Sequence, residues 1–453
     1  MAIEGPATSG AVEADEAADV DGRPTALLPL THLLRISAYW LGLTAIDAAV
    51  GLFISFRLAY SDLRGDVGLG LATTFVTIGA TVVAIAVQPT VGSISDYAVT
   101  RWGRRKPFIV IGSLLDVVFL LGIASANSLI AIAAFVILLG FSTNIARGPF
   151  QGYVPDLVAP PQVGLASGLV GMMQILGNLV GYALANLAAY LGNLPLALVA
   201  VAIVELVTMA SVVLRVGPGL PPKPREGRSW TTIARETWST DILAERSYVW
   251  LVVSRLAFLM AGGVLFTYAI AFLKNVFGLD QAHAATVNIA LLGAVAIGNL
   301  VAVIPSARIS NRIGRKPVIY VACALGALGV GITALAPTVP VAVAGAAIFG
   351  AANGVFLAVD WALMTDIIPR ASAGRYMGLS NVATGSAPLF AAAIGGLVLD
   401  VGSGSVGEAT GTRAAFLVAI GLYAVAAVLL RNVVEPAGSG QPPARPMPAG
   451  AAA

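Results

Sequence analysis

The sequence predicts an all-α membrane protein of about twelve transmembrane helices, arranged as two pseudo-symmetric six-helix bundles. Three observations carry this fold class: an unusually apolar composition, a series of long apolar stretches, and loop motifs that recur at one constant offset. Of 453 residues, 58% are hydrophobic and only 11% are charged, with a mean hydropathy of +0.88. An ordinary soluble domain is about a quarter charged, so this chain needs lipid as part of its solvent.

Composition also excludes several kinds of site. A single cysteine, Cys323, rules out a disulfide framework and a thiolate zinc site. His32 and His283 are too few and too far apart for a metal cluster, so neither metal nor cofactor is expected. The net charge is +3 and the pI near 9.0 comes from clustered loop Arg and Lys, which suggests membrane orientation before nucleic acid. The acidic, Ala-rich start has no basic region followed by an apolar one, so it reads as a cytoplasmic tail over 1–35 rather than a signal peptide. The Pro, Gly and Ala-rich end, 433–453, reads as a second tail.

A span needs roughly 20 apolar residues at 1.5 Å rise each. Such stretches lie near 37–59, 72–91, 108–126, 129–147, 167–190, 196–215, 249–273, 286–306, 318–336, 340–362, 377–399 and 413–431. Turn residues at Asn127-Ser128, Gly192 to Pro195 and Ala336 to Thr338 split three pairs of adjoining spans into tight hairpins. A Pro- and Gly-rich, mixed-charge stretch over 216–248 separates an N-terminal bundle, 36–215, from a C-terminal bundle, 249–432, with a short surface helix expected from Trp230 to Glu245. With both termini inside, most loop cations fall on the inner side, whereas the outer side receives Arg57, Arg64, Lys274 and Arg413. That asymmetry predicts a multi-pass plasma-membrane (bacterial inner-membrane) protein with both termini cytoplasmic.

The two bundles share loop motifs. After the second span comes Gly92-Ser-Ile-Ser-Asp96, then Arg101-Trp-Gly103-Arg104-Arg105-Lys106-Pro107; after the eighth comes Asn311-Arg312-Ile-Gly314-Arg315-Lys316-Pro317. Pro107 and Pro317 are 210 positions apart, and so are Asp156 and Asp366, Gly164 and Gly374, and Gly168 and Gly378. Independent motifs at one offset point to duplication. The loops suit a gate: Gly92 permits close helix approach, and Asp96 can cap a helix or accept bonds from Arg across the interface between halves. Arg101, Arg104, Arg105 and Lys106 are expected to hold the loop at anionic headgroups. A charge network that forms in one conformation and breaks in another would bias a two-state rocking equilibrium.

These loops resemble those of the major facilitator superfamily, whose signature is Gly-x-x-x-Asp-Arg-x-Gly-Arg-Arg between the second and third helices. The second copy has Asn311 where the family has Asp. The stretched first copy, Ser95-Asp96 through Arg101-Trp102-Gly103-Arg104-Arg105-Lys106-Pro107-Phe108-Ile109, is similar to the glycoside–cation and sucrose–proton symporters, as are Asn144 with Gly148-Pro149 and Gly177-Asn178 with Gly181-Tyr182. Tyr97 stands where that group has Arg, and Arg147 and Gln151 exchange its usual Gln and Arg. The sequence has no Gly-x-x-x-x-Gly-Lys-Ser/Thr phosphate loop, no His-Glu-x-x-His and no nucleophile set beside a base, so no enzymatic activity is expected. The resemblance implies the major facilitator fold and a cavity lined by the first, fourth, seventh and tenth helices. It implies a small-molecule solute moved with protons (or Na⁺) by a monomer in the lipid bilayer.

Ionisable residues inside spans cost several kcal/mol and mark functional sites by default. Asp47 lies near the middle of the first span and is the leading proton-coupling carboxylate, the alternative being a structural hydrogen-bonded acid. Asn144, Arg147 and Gln151 share a face low on the fourth span. Arg255, early in the seventh, and Asp360, late in the tenth, lie at similar depth and are placed to pair. Asp116 and Glu205 lie on helices expected outside the cavity. Gln174, Asn178, Asn288, Asn353 and Asn381 are amide candidates for a hydroxyl-rich solute or, alternatively, for helix–helix contact; Trp40, Trp361 and Tyr268 are candidate stacking rings. Three functions follow as expectations: proton-coupled uptake of a sugar or glycoside, proton-driven efflux of drugs or secondary metabolites, and a non-transporting receptor.

Overall fold

The structure, a computed structural model, describes residues 26–159, 162–219, 221–236, 245–367 and 373–434. The N-terminal half contains α1 (Leu30–Tyr60), α2 (Leu69–Ser95), α3 (Lys106–Ser125), α4 (Leu129–Gln151), the short α5 (Tyr153–Leu157), α6 (Val163–Tyr190) and α7 (Pro195–Arg215). A linker carrying the short α8 (Trp230–Glu236) leads to α9 (Arg246–Phe277), α10 (Gln281–Ile313), α11 (Arg315–Leu335), α12 (Val339–Ile367), α13 (Ala373–Val406) and α14 (Glu408–Leu430). All but α5 and α8 are long and apolar enough to cross a membrane, making twelve among the described residues.

Local chemistry sets the helix boundaries. The Ser128 side chain caps α4 by accepting from the Ala131 N–H at 3.2 Å, and Pro195 opens α7, where its missing N–H costs nothing. Gly278 ends α9 in the left-handed region at φ 67°, bonding back to the Leu273 and Lys274 carbonyls. Helices overrun the apolar stretches: α1 begins at Leu30, inside the expected tail, because Leu33 and Ile36 are buried. The expected surface helix is described only as α8; residues 237–244 lie outside the described residues, as do most of both tails.

In hydrocarbon, helix association rests on close packing rather than on a hydrophobic drive. Accordingly, glycines line the tightest crossings. Gly177 and Gly181 seat α6 against the Leu41 and Ala45 carbonyls of α1, and Gly148 seats α4 against α2 at Gln88. In the other half Gly298, Gly350 and Gly354 join α10 to α12. The neighbour pattern repeats: α2 packs on α4 as α10 does on α12, and α1 packs on α7 as α9 does on α14. Lys106 and Lys316, 210 apart, make equivalent bonds. Lys106 Nζ donates to the Val213 and Val216 carbonyls at 2.9 and 2.7 Å, and Lys316 Nζ to those of Arg431 and Val433 at 3.3 and 2.5 Å. Each lysine ties the end of its bundle's last helix.

The two ends of the molecule differ. At the end away from the gate loops, hydrogen bonds join the halves. Tyr60 donates to the Leu279 carbonyl at 2.8 Å, Gln281 to Ala189 at 3.0 Å, and the Asn288 amide to Asn186 Oδ1 at 3.1 Å. Lys274 reaches the Ala59 carbonyl. The Asp400 carboxylate of α13 caps α2 across the divide, accepting from the Gly70 and Leu71 N–H groups at 2.9 and 2.8 Å; a Cβ on Gly70 would collide with the Gly396 backbone. Toward the gate loops, by contrast, Cβ atoms built on Gly168, Gly171 and Gly385 meet open space. The halves are therefore clamped together at the far end.

Candidate functional site

Below the far-end clamp lies a cavity of about 400 Å³, bounded by both halves. The N-terminal half presents Asp47, Gly51 and Ser55 of α1, Thr73 and Thr77 of α2, and Tyr182 of α6. The C-terminal half presents Phe258 and Phe266 of α9, Phe349 and Asn353 of α12, and Thr384 of α13. A volume in this range and a mostly apolar wall with a few polar groups suit a small molecule.

Two ion pairs flank the cavity. The Asp47 side chain is half exposed to it, at 50% of its surface, and accepts from Arg147 Nη2 at 2.6 Å; the same nitrogen reaches the Leu43 carbonyl at 3.5 Å. Arg147 Nε is buried without a partner, so the guanidinium depends on Asp47. On the opposite side Arg255 Nη1 bonds Asp360 Oδ2, and Arg255 Nε donates to Thr384 Oγ1 at 3.2 Å. Arg255 and Asp360 are both buried, at 5% and 2% exposure. The two pairs differ in consequence. The half-exposed Asp47 borders the cavity with Arg147 beside it, whereas breaking the buried Arg255–Asp360 pair strands a charge at about 3–5 kcal/mol.

The gate loop is a second charge cluster. Asp156 accepts from Arg104 at 2.7 and 3.3 Å and from Arg105 at 2.5 and 3.1 Å. Asp96 sits 3.1 Å from Arg105 and 3.0 Å from Lys223 of the linker. This corrects two expectations. Arg104 and Arg105 do not face headgroups; both are buried, because Asp156 and Asp96 neutralise them and the Pro149 and Pro221 carbonyls take their remaining N–H groups. Asp96 pairs with Arg105 of its own half and with Lys223 of the linker, which take the place of the expected arginine across the interface. Arg101 remains exposed, its guanidinium over Trp102. Gly103 adopts φ 92° in contact with Pro218, and the Tyr153 hydroxyl donates to the Gly217 carbonyl at 2.9 Å. Burial pushes that hydroxyl up; the nearby Arg105 opposes the shift and Asp156 adds to it, so it stays a donor. Gly92 packs on Gly148. In the second copy Gly314 turns at φ 93°, Arg315 Nη1 donates to Ser310 Oγ at 2.8 Å, and Arg312 is exposed. The side chains of Asn311 and Asp366 lie outside the described residues, as do those of Trp361 and Asn381.

Other candidates fall elsewhere. Asn353 lines the cavity. Gln174 and Asn178 are half-buried on α6 and Gln151 is half-buried at the end of α4, none of them in the cavity wall. Asn144 is buried and donates to the Gly140 carbonyl of its own helix at 2.7 Å. Asn288 belongs to the far-end clamp, while Trp40 packs on Phe150 and Tyr268 donates to the Ala392 carbonyl. Sequence reasoning missed Thr73, Thr77, Ser55 and Thr384. The four-residue spacing of Thr73, Thr77 and Thr81 on α2 was the available signal, since it puts hydroxyls on one helix face.

Twelve spans in two repeated bundles, closed at one end around a cavity flanked by ion pairs, define a multi-pass helical membrane protein with a cavity bounded by both halves. The chain belongs to the Major Facilitator Superfamily, whose family model matches residues 36–327 and 281–453. A sucrose transport protein of Arabidopsis thaliana is 27% identical over 132 residues, covering 24% of this chain and 22% of that protein. A general alpha-glucoside permease of Schizosaccharomyces pombe is 28% identical over 174 residues, covering 34% and 32%. The matched segments thus span about a quarter to a third of those relatives. A D-xylose-proton symporter structure superposes with a TM-score of 0.67 at 18% identity, covering 90% of this chain and 99% of its own, and a nucleoside transporter structure with 0.69 at 14%, covering 89% and 100%. These likenesses establish the fold.

Proposed function

We propose that the protein takes up a sugar or glycoside by proton symport, with Asp47 as the proton-coupling carboxylate and Arg147 as its switchable partner. The observation that carries this is the half-exposed Asp47–Arg147 pair on the wall of a cavity bounded by both halves. The names of the sucrose and alpha-glucoside relatives support the substrate class. Hydroxyl and amide groups at Ser55, Thr77, Thr384 and Asn353 suit a polyol, because they donate and accept. Phe258, Phe266 and Phe349 offer apolar faces to its ring.

In this reading the gate end is cytoplasmic, both termini are cytoplasmic, and the chain works as a monomer in the plasma membrane. The conformer is inward-facing. The 36–215 and 249–432 bundles rock about the cavity, and the Arg104–Arg105–Asp156 cluster with Asp96 and Lys223 holds the inner gate of the N-terminal half. Arg255 and Asp360 hold Thr384 at the cavity wall. The predominantly apolar wall favours a second reading, proton-driven efflux of a hydrophobic solute.

Purified protein in proteoliposomes, offered disaccharides, glycosides and hydrophobic cations with internal pH recorded, separates the two. Sugar-dependent proton entry is expected. Proton exit driven by hydrophobic cations, with no response to sugars, would replace symport by efflux.

A further inference from the structure

A second acidic cluster lies in the N-terminal half, outside the cavity wall. Asp116 of α3 and Glu205 of α7 are both 0% exposed. Asp116 Oδ1 accepts the Thr143 hydroxyl at 2.9 Å and the Ser142 hydroxyl. Glu205 Oε1 accepts the Tyr39 hydroxyl at 3.2 Å, and Tyr39 and Ser113 share a 2.5 Å bond. Each acid thus has one oxygen supplied by hydroxyl donors. The remaining oxygens, Asp116 Oδ2 and Glu205 Oε2, are buried with no donor, although the two side chains are within hydrogen-bonding reach of each other. Two carboxylates cannot bond without a proton, and two unpaired anions cannot sit together in a dry helix bundle. A single proton between Oδ2 and Oε2 satisfies both orphaned oxygens at once.

We infer that Asp116 and Glu205 form a second proton-binding site, in which Glu205 carries the proton and donates it from Oε2 to the Asp116 carboxylate. The assignment of the anion follows from the donors. Asp116 receives two hydroxyls, and Arg147 stands one turn beyond Thr143 on α4, where its charge acts on Asp116. The groups facing the pair are Tyr39 from α1, Ser113 from α3, and Ser142, Thr143 and Arg147 from α4; Arg147 is the cation among them. That same Arg147 holds Asp47 at the cavity.

The test is infrared spectroscopy of the purified full-length protein at about pH 8, well above the ordinary range near 4 for Asp and Glu. The wild type is expected to show the carbonyl stretch of a protonated carboxyl. Glu205→Gln loses that band while its amide N–H still serves Asp116 Oδ2, so the fold is retained. Asp116→Asn keeps a band but displaces it, because the acceptor changes from carboxylate to amide. A wild type without the band, a band surviving Glu205→Gln, or a band unmoved by Asp116→Asn would each overturn the site. These spectra do not depend on transport.

Discussion

Replacing Asp400 with Ala removes the cap that α13 places on α2. The two carboxylate bonds, to Gly70 and Leu71 at 2.9 and 2.8 Å, exist only while the far end is closed. A lost helix cap costs about 1 kcal/mol, and the loss of its charge at a helix N-terminus adds about as much. Since the interaction belongs to one state, its loss shifts the equilibrium between states by about 2 kcal/mol, roughly 30-fold. The shift is read by alkylation of Gly51→Cys, which lines the cavity and whose added side chain meets open space; buried Cys323 is first replaced by Ala. An impermeant thiol reagent supplied to the far side alone reacts slowly when Asp400 is present. It is expected to react up to roughly 30-fold faster in Asp400→Ala and at an intermediate rate in Asp400→Asn, which keeps one acceptor. Equal rates in all three would refute the claim that this cap holds the far end shut.

Asp156→Ala strands Arg104 and Arg105 without their shared carboxylate, and a loss of about 3 kcal/mol, or roughly 3 °C in the unfolding midpoint, is expected in a thermal melt. Gly148→Val drives a side chain into the Gln88 carbonyl and should abolish the monodisperse peak in size-exclusion chromatography, whereas Gly168→Ala, facing open space, should leave it unchanged. Asp280 caps α10, and its bonds to the His283 backbone and ring hold its carboxyl below the usual carboxylate range. A depressed folded value gives stability that is present above the unfolded value and is lost as pH falls through the folded one. Amide exchange over the first turn of α10 should therefore quicken at strongly acidic pH in wild type and should already be fast near neutrality in Asp280→Ala.

The spans and the duplication were legible because hydropathy and turn residues are local, and because one offset of 210 relates several motifs. Lys106 and Lys316 show that the offset carries a shared structural role as well as shared letters. The Asp47–Arg147 pair was not legible. Its members are 100 residues apart, and depth along two helices gives neither their rotation nor the reach of an arginine side chain. Arg255 and Asp360 were matched by depth alone, and the structure brings them into contact. The gate arginines misled because a run of cations ordinarily faces solvent. Their burial depends on Asp156, which lies beyond two further helices in sequence. The hydroxyl face of α2 stayed hidden because threonines in a helix bond their own backbone, as Thr77 does to the Thr73 carbonyl, and look structural one at a time.

Asp47 is the residue proposed to join proton movement to solute movement, and its carboxyl can be removed with little change of shape. Asp47→Asn keeps the outline of the side chain and an acceptor for Arg147 while removing the titrating group. In proteoliposomes carrying the solute found by the panel, the variant is expected to retain exchange of labelled for unlabelled solute. It should lose accumulation driven by a pH gradient. Proton-driven accumulation at the wild-type level in Asp47→Asn would contradict the assignment.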